Sequence, residues 1–167
     1  SEGAYDPTVM PLVNAWGFGP DKGVWPDSSR IDSLRQLVDF SKVRIDGDSL
    51  LKSERRLQID FGGIGQGFGA DAMAEYLSAM GVTDYLVELG GEGVARGRNL
   101  MEGRYWQGGI LDPDSDPVQM SFYAELGLKD QSFSTSGNYF NYRMVDGKKY
   151  SHTINPATGY PVERPIL

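Results

Sequence analysis

The sequence predicts a single α+β domain with few helices and a mixed or largely antiparallel sheet. Two segments, 27–38 and 70–80, carry apolar residues at helical spacing. Several shorter segments have the character of strands and are separated by glycine-rich turns. Asp146-Gly147 stands between two of these strand segments, which is a strong signal for an antiparallel hairpin. The 167 residues are enough for one domain with a hydrophobic core.

The two predicted helices have recognisable ends. Asp27 or Ser28 can cap the first helix with a side-chain oxygen. Gly81 is placed to end the second helix, which we expect to span about 70–80. The expected apolar positions are Ile31, Leu34, Leu37 and Val38 in the first helix and Met73, Tyr76, Leu77 and Met80 in the second.

The remaining periodic segments are short and predict strands. Gly47-Asp48 predicts a turn between two of them, as Asp146-Gly147 does later in the chain. The predicted strands span 42–46, 49–52, 57–61, 84–89, 94–98, 105–111, 139–145 and 148–154. The sequence contains no internal repeat and no segment typical of a linker, so we assign residues 1–167 to one domain.

Composition argues against several classes of function. A formal net charge of -7 and a pI of about 4.7 disfavour binding to nucleic acid, because a phosphate backbone needs a positive surface. An anionic small ligand would need a cation or local hydrogen-bond donors to offset this charge. No apolar run approaches the length of a transmembrane helix. The absence of cysteine excludes disulfides and thiolate chemistry.

Two glycine-rich segments are candidate ligand-binding loops. Residues 60–71 predict a strand, a glycine loop and a helix start, where backbone can approach a ligand closely and the helix N-terminus attracts an anion. A tight strand-to-helix connection without a ligand is the alternative. Residues 88–93 place Glu92 after a double glycine, where its carboxylate could accept hydrogen bonds from ribose hydroxyls. A β-bulge or plain turn is the alternative there. We predict that the loops 62–69 and 90–93 line one cleft.

Polar and aromatic segments supply further candidates. Residues 134–139 place small hydroxyl side chains beside glycine, which can hold a phosphate or sugar or form an ordinary turn. Residues 150–161 contain His152, the only histidine, beside a turn rich in proline and glycine. Histidine exchanges protons near neutral pH, so His152 could take part in acid–base chemistry, although a lone histidine is more often structural or merely exposed. Aromatic residues within 5–19 could line the face of a planar ring or pack in the core.

Taken in order along the chain, these segments resemble the ApbE family of flavin transferases. The matching runs are AYDPTVMPLVNAWGFG at 4–19, DFGGIGQGFGAD at 60–71, YLVELGGEGVARG at 85–97, STSGNYF at 134–140 and YSHTINPATGYPV at 150–162. Each run by itself is weak evidence for the family. Five runs in the family's order, over nearly the whole chain, are a highly specific match to it.

The resemblance implies a Mg²⁺-dependent enzyme that moves FMN from FAD to a threonine of an acceptor flavoprotein and releases AMP. It implies that His152 is the catalytic acid–base group and that a backbone carbonyl, nearest Gly65, joins the metal shell. The residues implied to contact FAD are Gly62, Gly63, Gln66, Gly67, Gly90, Gly91, Glu92, Thr135, Ser136, Gly137, His152 and Thr153. The alternatives are hydrolysis of FAD to FMN and AMP, a non-catalytic FAD-binding module, and a carbohydrate-binding domain.

The chain departs from the family pattern in two respects. Gln66 stands where the family usually has lysine, which removes a charge and keeps a donor. The family continues past the histidine segment to an aspartate and a threonine that hold the metal, and it has an N-terminal segment with flavin contacts. We therefore expect this chain to be the central part of a longer flavin transferase, truncated at both ends. By itself it should lack a complete metal site and bind FAD more weakly than the full protein.

The resemblance also carries expectations about location and partners. It implies the periplasmic face of the bacterial inner membrane, with attachment only through a lipid anchor outside this chain. It implies FAD and an acceptor flavoprotein as partners, and no nucleic acid.

Overall fold

Short helices and short strands make up the chain in this computed structural model, which describes residues 1–21, 24–113, 115, 119, 121–137 and 141–163. The helices are α1 (Met10–Ala15), α2 (Ser28–Arg35) and α3 (Gly65–Ala79), with a 3-10 turn at Phe40–Lys42. The strands are β1 (Val43–Asp46), β2 (Ser49–Lys52), β3 (Tyr85–Leu89), β4 (Glu92–Arg96), β5 (Trp106–Leu111), β6 (Phe122–Leu128), β7 (Gln131–Ser134), β8 (Tyr142–Val145) and β9 (Lys148–Ser151).

Every strand pairing in the described part of the chain is antiparallel, which confirms the predicted α+β class with few helices. The strands form four small sheets rather than one large one. These sheets are β1–β2, β3–β4–β7, β5–β6 and β8–β9. The chain divides into two compact units. Unit 1 comprises Ser1–Phe61 and the described part of Asn138–Leu167, and unit 2 comprises Gly62–Gly137.

Unit 1 is built around a core that helices α1 and α2 supply. The buried members of this core are Leu12, Trp16, Ile31 and Ile154. Asp27 caps α2 as predicted, because its carboxylate accepts a 2.8 Å hydrogen bond from the backbone N–H of Arg30. Helix α1 was not predicted, since it has only six residues and is too short to show a period. Its early proline suits a first helical turn, whose N–H groups have no intrahelical partner.

The predicted strand at 57–61 is wrong. This segment has no strand partner among the described residues, and loops and a side chain hold it instead. The N–H of Asp60 donates to the carbonyl of Pro7 at 2.6 Å, and the ammonium of Lys52 donates to the carbonyl of Leu57 at 2.7 Å. Leu57 is fully buried, so the apolar character that suggested a strand reflects anchoring in the core.

The hairpin β8–β9 of unit 1 confirms the turn predicted at Asp146-Gly147. Both turn residues have positive φ, 50° and 77°, as a two-residue turn between twisted strands requires. The predicted strand 139–145 is observed from Tyr142 onwards, and residues 139–140 lie outside the described part. The predicted strand 148–154 ends at Ser151. The hairpin β1–β2 likewise confirms the turn at Gly47-Asp48.

Unit 2 packs helix α3 on the sheet β3–β4–β7, with a core of Ala70, Ala74, Tyr85 and Val87. The helix begins at Gly65 and not near Ala70, so most of the predicted glycine loop is helical. Glycine is a poor helix former, but here its small size permits close packing on the sheet. A Cβ on Gly69 would lie 3.0 Å from the side chain of Leu89.

The predicted apolar face of α3 is confirmed only at Leu77, which packs against the core of unit 2. The other three predicted positions, Met73, Tyr76 and Met80, are exposed, and Ala70 and Ala74 are the buried residues of the helix. The helix ends as expected, because Gly81 donates to the carbonyl of Ser78 beyond its last turn. Strands β3, β4 and β5 match predicted strands to within two residues, whereas β6 and β7 were not predicted. No helix in the described part of the chain is long and apolar enough to cross a membrane.

Candidate functional site

A cleft of about 240 Å³ lies in unit 2, between the first turn of α3 and strands β4 and β7. Its lining residues are Gly67, Asp71, Glu92, Gly93, Ser132, Phe133 and Ser134. Gly67 comes from the first glycine-rich segment and Glu92 from the second. The prediction that these two segments line one cleft is therefore confirmed.

Strand pairing places Glu92 inside this cleft. Glu92 faces Ser134 across β4 and β7, and the Ser134 hydroxyl donates to Glu92 Oε1 at 3.2 Å. The other carboxylate oxygen lies over the helix, where a Cβ on Gly67 would be 2.8 Å from Oε2. Glycine at position 67 thus leaves the room that the carboxylate occupies. The glutamate is held from one side and remains half-buried.

The double glycine Gly90-Gly91 forms a turn between β3 and β4, and Thr135 stabilises this turn through hydrogen bonds. Gly91 has a φ of 94°, which glycine adopts without the strain a side chain would cause. Its carbonyl accepts hydrogen bonds from both the N–H and the hydroxyl of Thr135, each at 2.9 Å. Its N–H donates to the carboxylate of Glu88. A Cβ on Gly90 would lie 3.6 Å from Cγ of Gln66, so the turn also lies against the start of α3.

The groups in and beside the cleft suit a polar ligand that has hydroxyls and a phosphate. Asp71 and Glu92 offer carboxylate oxygens, which accept hydrogen bonds from hydroxyl or amino groups. The first turn of α3 contains no acidic residue and has no side-chain cap at Ile64. Backbone N–H groups of a first helical turn have no intrahelical acceptor, and the helix dipole favours an anion at that end.

Several predicted site residues do not line this cleft. Gly62 and Gly63 form the turn before α3, while Ser136 and Gly137 follow Thr135 outside any helix or strand. Sequence reasoning missed Ser132 and Phe133 of the lining, which belong to the unpredicted strand β7. It included Asp71, Gly93 and Ser134 in candidate segments but did not name them as contact residues. Asp71 is one helical turn beyond Gly67, so an earlier helix start would have placed it at the ligand.

His152 and Thr153 belong to unit 1 and directly follow β9. Nδ1 of the half-buried His152 ring is 3.0 Å from the carbonyl oxygen of Asn141, and the His152 N–H donates to the same oxygen at 3.3 Å. The ring of Phe18 meets the imidazole edge-on, with 6.4 Å between ring centroids. The carbonyl of Thr153 accepts from the N–H of Val162 at 2.8 Å. Backbone contacts therefore hold the histidine segment on two sides.

The aromatic residue Trp16 packs in the core of unit 1. Its side chain is 2% exposed and stacks on Tyr150 with 6.0 Å between centroids. Trp25 meets both rings edge-on, at 4.8 Å from each. Of the two interpretations of the aromatic segment 5–19, the core interpretation holds for this tryptophan.

The described residues do not fit a complete metal site. No three histidine, aspartate or glutamate side chains come together among residues 1–21, 24–113, 115, 119, 121–137 and 141–163. The cleft contributes two carboxylates, Asp71 and Glu92. A Mg²⁺ ion bound wholly by these residues would lack the oxygen ligands it prefers. Gly65, the predicted carbonyl ligand, lies in the first turn of α3, and its role stays a prediction.

Comparison with known proteins covers the whole chain. Residues 1–167 match the model of the ApbE family. An FAD:protein FMN transferase from Vibrio cholerae serotype O1 is 38% identical over 169 residues, which cover 100% of this chain and 50% of that protein. The chain therefore spans about half the length of the curated relatives it matches.

Two solved structures are similar in fold. The flavin transferase ApbE from Vibrio cholerae superposes with a TM-score of 0.82 at 36% identity, covering 97% of this chain and 51% of that one. The apo form of the Pseudomonas stutzeri flavinyl transferase ApbE gives a TM-score of 0.79 at 39% identity, covering 97% and 49%.

Proposed function

The chain belongs to the ApbE family, and from that premise we propose that the full protein is an FAD:protein FMN transferase. The observation that carries the proposal is the cleft at the first turn of α3. There, segments that resemble the family in sequence, at Gly67 and Glu92, come together around polar groups suited to a nucleotide. FAD is the proposed substrate, and a threonine of an acceptor flavoprotein is the proposed acceptor.

In unit 2, the cleft would bind the polar part of FAD. Glu92 would accept hydrogen bonds from hydroxyl groups, and Ser134 would keep its carboxylate in place. The side-chain amide of Gln66 and the first N–H groups of α3 would donate to phosphate oxygens. The turn at Gly91 would keep the backbone close to the ligand, because Thr135 and Glu88 fasten it.

The proposed reaction transfers FMN to the threonine hydroxyl and joins the two through a phosphoester. The hydroxyl oxygen forms a bond to the FMN phosphorus, and the bond from that phosphorus to the bridging oxygen breaks. AMP leaves with the bridging oxygen and the electron pair of the broken bond. His152 takes the hydroxyl proton as general base and later returns a proton to AMP or solvent. Hydrolysis is the second candidate, with water in place of the threonine hydroxyl.

Metal dependence and location are further parts of the proposal. Mg²⁺, if bound, would offset the charge of the pyrophosphate in a protein whose net charge is -7. The described residues do not form its site, so we assign no step to it. We place the full protein at the periplasmic face of the bacterial inner membrane, anchored through a lipid outside this chain.

Release of AMP from FAD by the full-length protein tests the proposal. The measurement is made with an acceptor flavoprotein, with the same acceptor after its target threonine is changed to valine, and without acceptor. A transferase releases AMP only in the sample with the intact acceptor, and in an amount equal to the FMN attached to that acceptor. Equal AMP release in all three samples would identify a hydrolase. FAD binding without AMP release in any sample would identify a binding module.

A further inference from the structure

The side chain of His152 meets a partner that can only accept a hydrogen bond. Ring atom Nδ1 is 3.0 Å from the carbonyl oxygen of Asn141. A carbonyl oxygen has no proton to give, so Nδ1 must carry the proton of this bond. In a neutral imidazole the other nitrogen, Nε2, then has a lone pair and no proton. We propose that the β8–β9 hairpin holds neutral His152 in the Nδ1–H tautomer and leaves Nε2 as its proton-accepting atom.

The register of the hairpin explains why Asn141 lies at this position. Tyr142 pairs with Ser151 at the open end of the hairpin, and Val145 pairs with Lys148 beside the turn. One step beyond Tyr142 and Ser151, the same register sets Asn141 opposite His152. The backbone N–H of His152 indeed donates to the Asn141 carbonyl at 3.3 Å. One carbonyl therefore binds both the backbone and the ring of the histidine.

The two-residue turn fixes this register. Asp146 and Gly147 both adopt positive φ, which defines a tight turn and sets which residues face each other along the strands. The turn of the hairpin thus positions the Asn141 carbonyl, and this carbonyl favours the Nδ1–H tautomer of His152. Phe18, edge-on to the imidazole, adds a second contact that limits rotation of the ring.

The catalytic meaning of this tautomer rests on the proposed transferase function. A general base needs an unprotonated nitrogen aimed at the hydroxyl, and the Nδ1–H tautomer provides that nitrogen at Nε2. The Asn141 carbonyl would also stabilise the ring once it is protonated, because Nδ1 then carries part of the positive charge. The tautomer itself can be measured without any assay of FMN transfer, so its failure and that of the proposed function are distinguishable.

Nitrogen-15 NMR of the imidazole is the direct test. The full-length protein is labelled at histidine and studied at alkaline pH, well above the ordinary range of imidazole protonation. The His152 signals are assigned by their loss in His152→Gln, or from the 167-residue chain, which contains one histidine. We expect a protonated Nδ1 and an unprotonated Nε2, and a shift toward the opposite tautomer when urea unfolds the protein. A protonated Nε2, or a tautomer ratio unchanged by urea, would overturn the proposal.

A pair of insertions tests the role of the hairpin register. One glycine inserted between Asp146 and Gly147 lengthens the turn that positions Asn141, and we expect the tautomer ratio to move toward the urea-unfolded value. The matched control inserts one glycine between Gly47 and Asp48, the two turn residues of the separate hairpin β1–β2, and should leave the ratio unchanged. An unchanged ratio in a folded first variant would contradict positioning by the hairpin. If that variant does not fold, the wild-type spectrum still decides the tautomer.

Discussion

The indole Nε1–H of Trp16 donates a 2.8 Å hydrogen bond to the carbonyl oxygen of Gly159. The indole is 2% exposed, so water cannot readily replace this bond. Trp16 ends helix α1, and Gly159 lies in the turn that follows His152 in the chain. The bond therefore ties the N-terminal helix of unit 1 to the segment that carries the candidate acid–base group.

Replacing Trp16 with phenylalanine should destabilise the protein. The ring would still fill much of the space beside Tyr150, but the carbonyl of Gly159 would lose its donor. A buried acceptor left without a partner costs about 1–3 kcal/mol. Urea unfolding of the full-length protein would measure the loss. Trp106→Phe is the matched control, because the Trp106 indole donates to the backbone carbonyl of Arg96 at an exposed site, where water can replace the donor. An equal loss in both variants would contradict the role of the buried bond.

The turn at Gly91 should not tolerate a side chain. An added methyl group would meet the hydroxyl of Thr135, and the positive φ of Gly91 adds strain of about 1–2 kcal/mol. Because Thr135 fastens this turn, we expect Gly91→Ala to weaken FAD binding by about tenfold or more, a change of about 1.4 kcal/mol. Calorimetric titration with FAD measures this. Gly103→Ala is the control, since Gly103 also has positive φ but an added methyl group would lie in open space. Similar FAD affinities for the two variants would show that the Thr135 contact is unimportant.

Gly67→Ala should separate stability from ligand binding. Alanine in a helix is favoured over glycine by about 0.5–1 kcal/mol, so the melting temperature should not fall. The new methyl group would lie 2.8 Å from Oε2 of Glu92 and push the carboxylate aside, so FAD affinity should fall. The substitution is repeated in a Glu92→Ser background, where the shorter side chain removes the clash. If alanine weakens FAD binding equally in both backgrounds, the effect does not act through Glu92.

The carboxyl of Glu54 should titrate at unusually low pH. Hydrogen bonds from the Arg56 side chain and backbone N–H lower its pKa from 4.5 to about 2. Because the folded-state pKa is depressed, this interaction stabilises the folded protein fully above about pH 4.5 and is lost as the pH falls toward 2. NMR titration of the carboxyl carbon should show its pKa rising in Arg56→Gln. Arg55→Gln, at the neighbouring exposed position, should leave it unchanged. A Glu54 pKa that stays low in Arg56→Gln would assign the shift to another cause.

Local sequence signals predicted the parts of the fold that depend on local chemistry. Asp27 caps α2, and the hairpin turns at Gly47-Asp48 and Asp146-Gly147 form where their residues favour positive φ or a tight turn. Tertiary contacts decide the rest. The glycine-rich segment 65–69 is helical although glycine disfavours a helix, because its small residues let α3 approach the sheet closely. The local sequence pattern does not show that such close packing is needed. Strand β7 is four residues long and finds its place only by pairing with β4.

The candidate site follows the same division. Gly91 and Thr135 were predicted separately, and the structure joins them through two hydrogen bonds. Asp71 and Ser134 lay in candidate segments but were not named as contact residues, because their place in the cleft depends on the start of α3 and on the pairing of β7. His152 was singled out by its chemistry and by the family resemblance, whereas its contact with the Asn141 carbonyl depends on the register of a hairpin. It is easier to infer from a sequence which groups can react than which contacts hold those groups in place.

His152→Ala in the full-length protein should slow FMN transfer far more than it weakens FAD binding. General acid–base help is worth about 10²–10⁴ in rate, so single-turnover transfer at saturating FAD should fall by that factor. Binding should change much less, because the substitution leaves the cleft at Glu92 and the turn at Gly91 intact. Stopped assays of acceptor flavinylation give the rate, and calorimetry gives the affinity.

The competing explanation is that His152 only supports the local structure, while positioning of FAD and acceptor supplies nearly all of the catalysis. His152→Gln distinguishes the two, because glutamine keeps an N–H donor for the Asn141 carbonyl but cannot take a proton at neutral pH. A structural role predicts that glutamine restores much of the rate lost with alanine. A general base predicts that both variants are comparably slow. A glutamine variant within about threefold of the wild-type rate, far less than the loss expected for a missing base, would show that His152 moves no proton in the slow step.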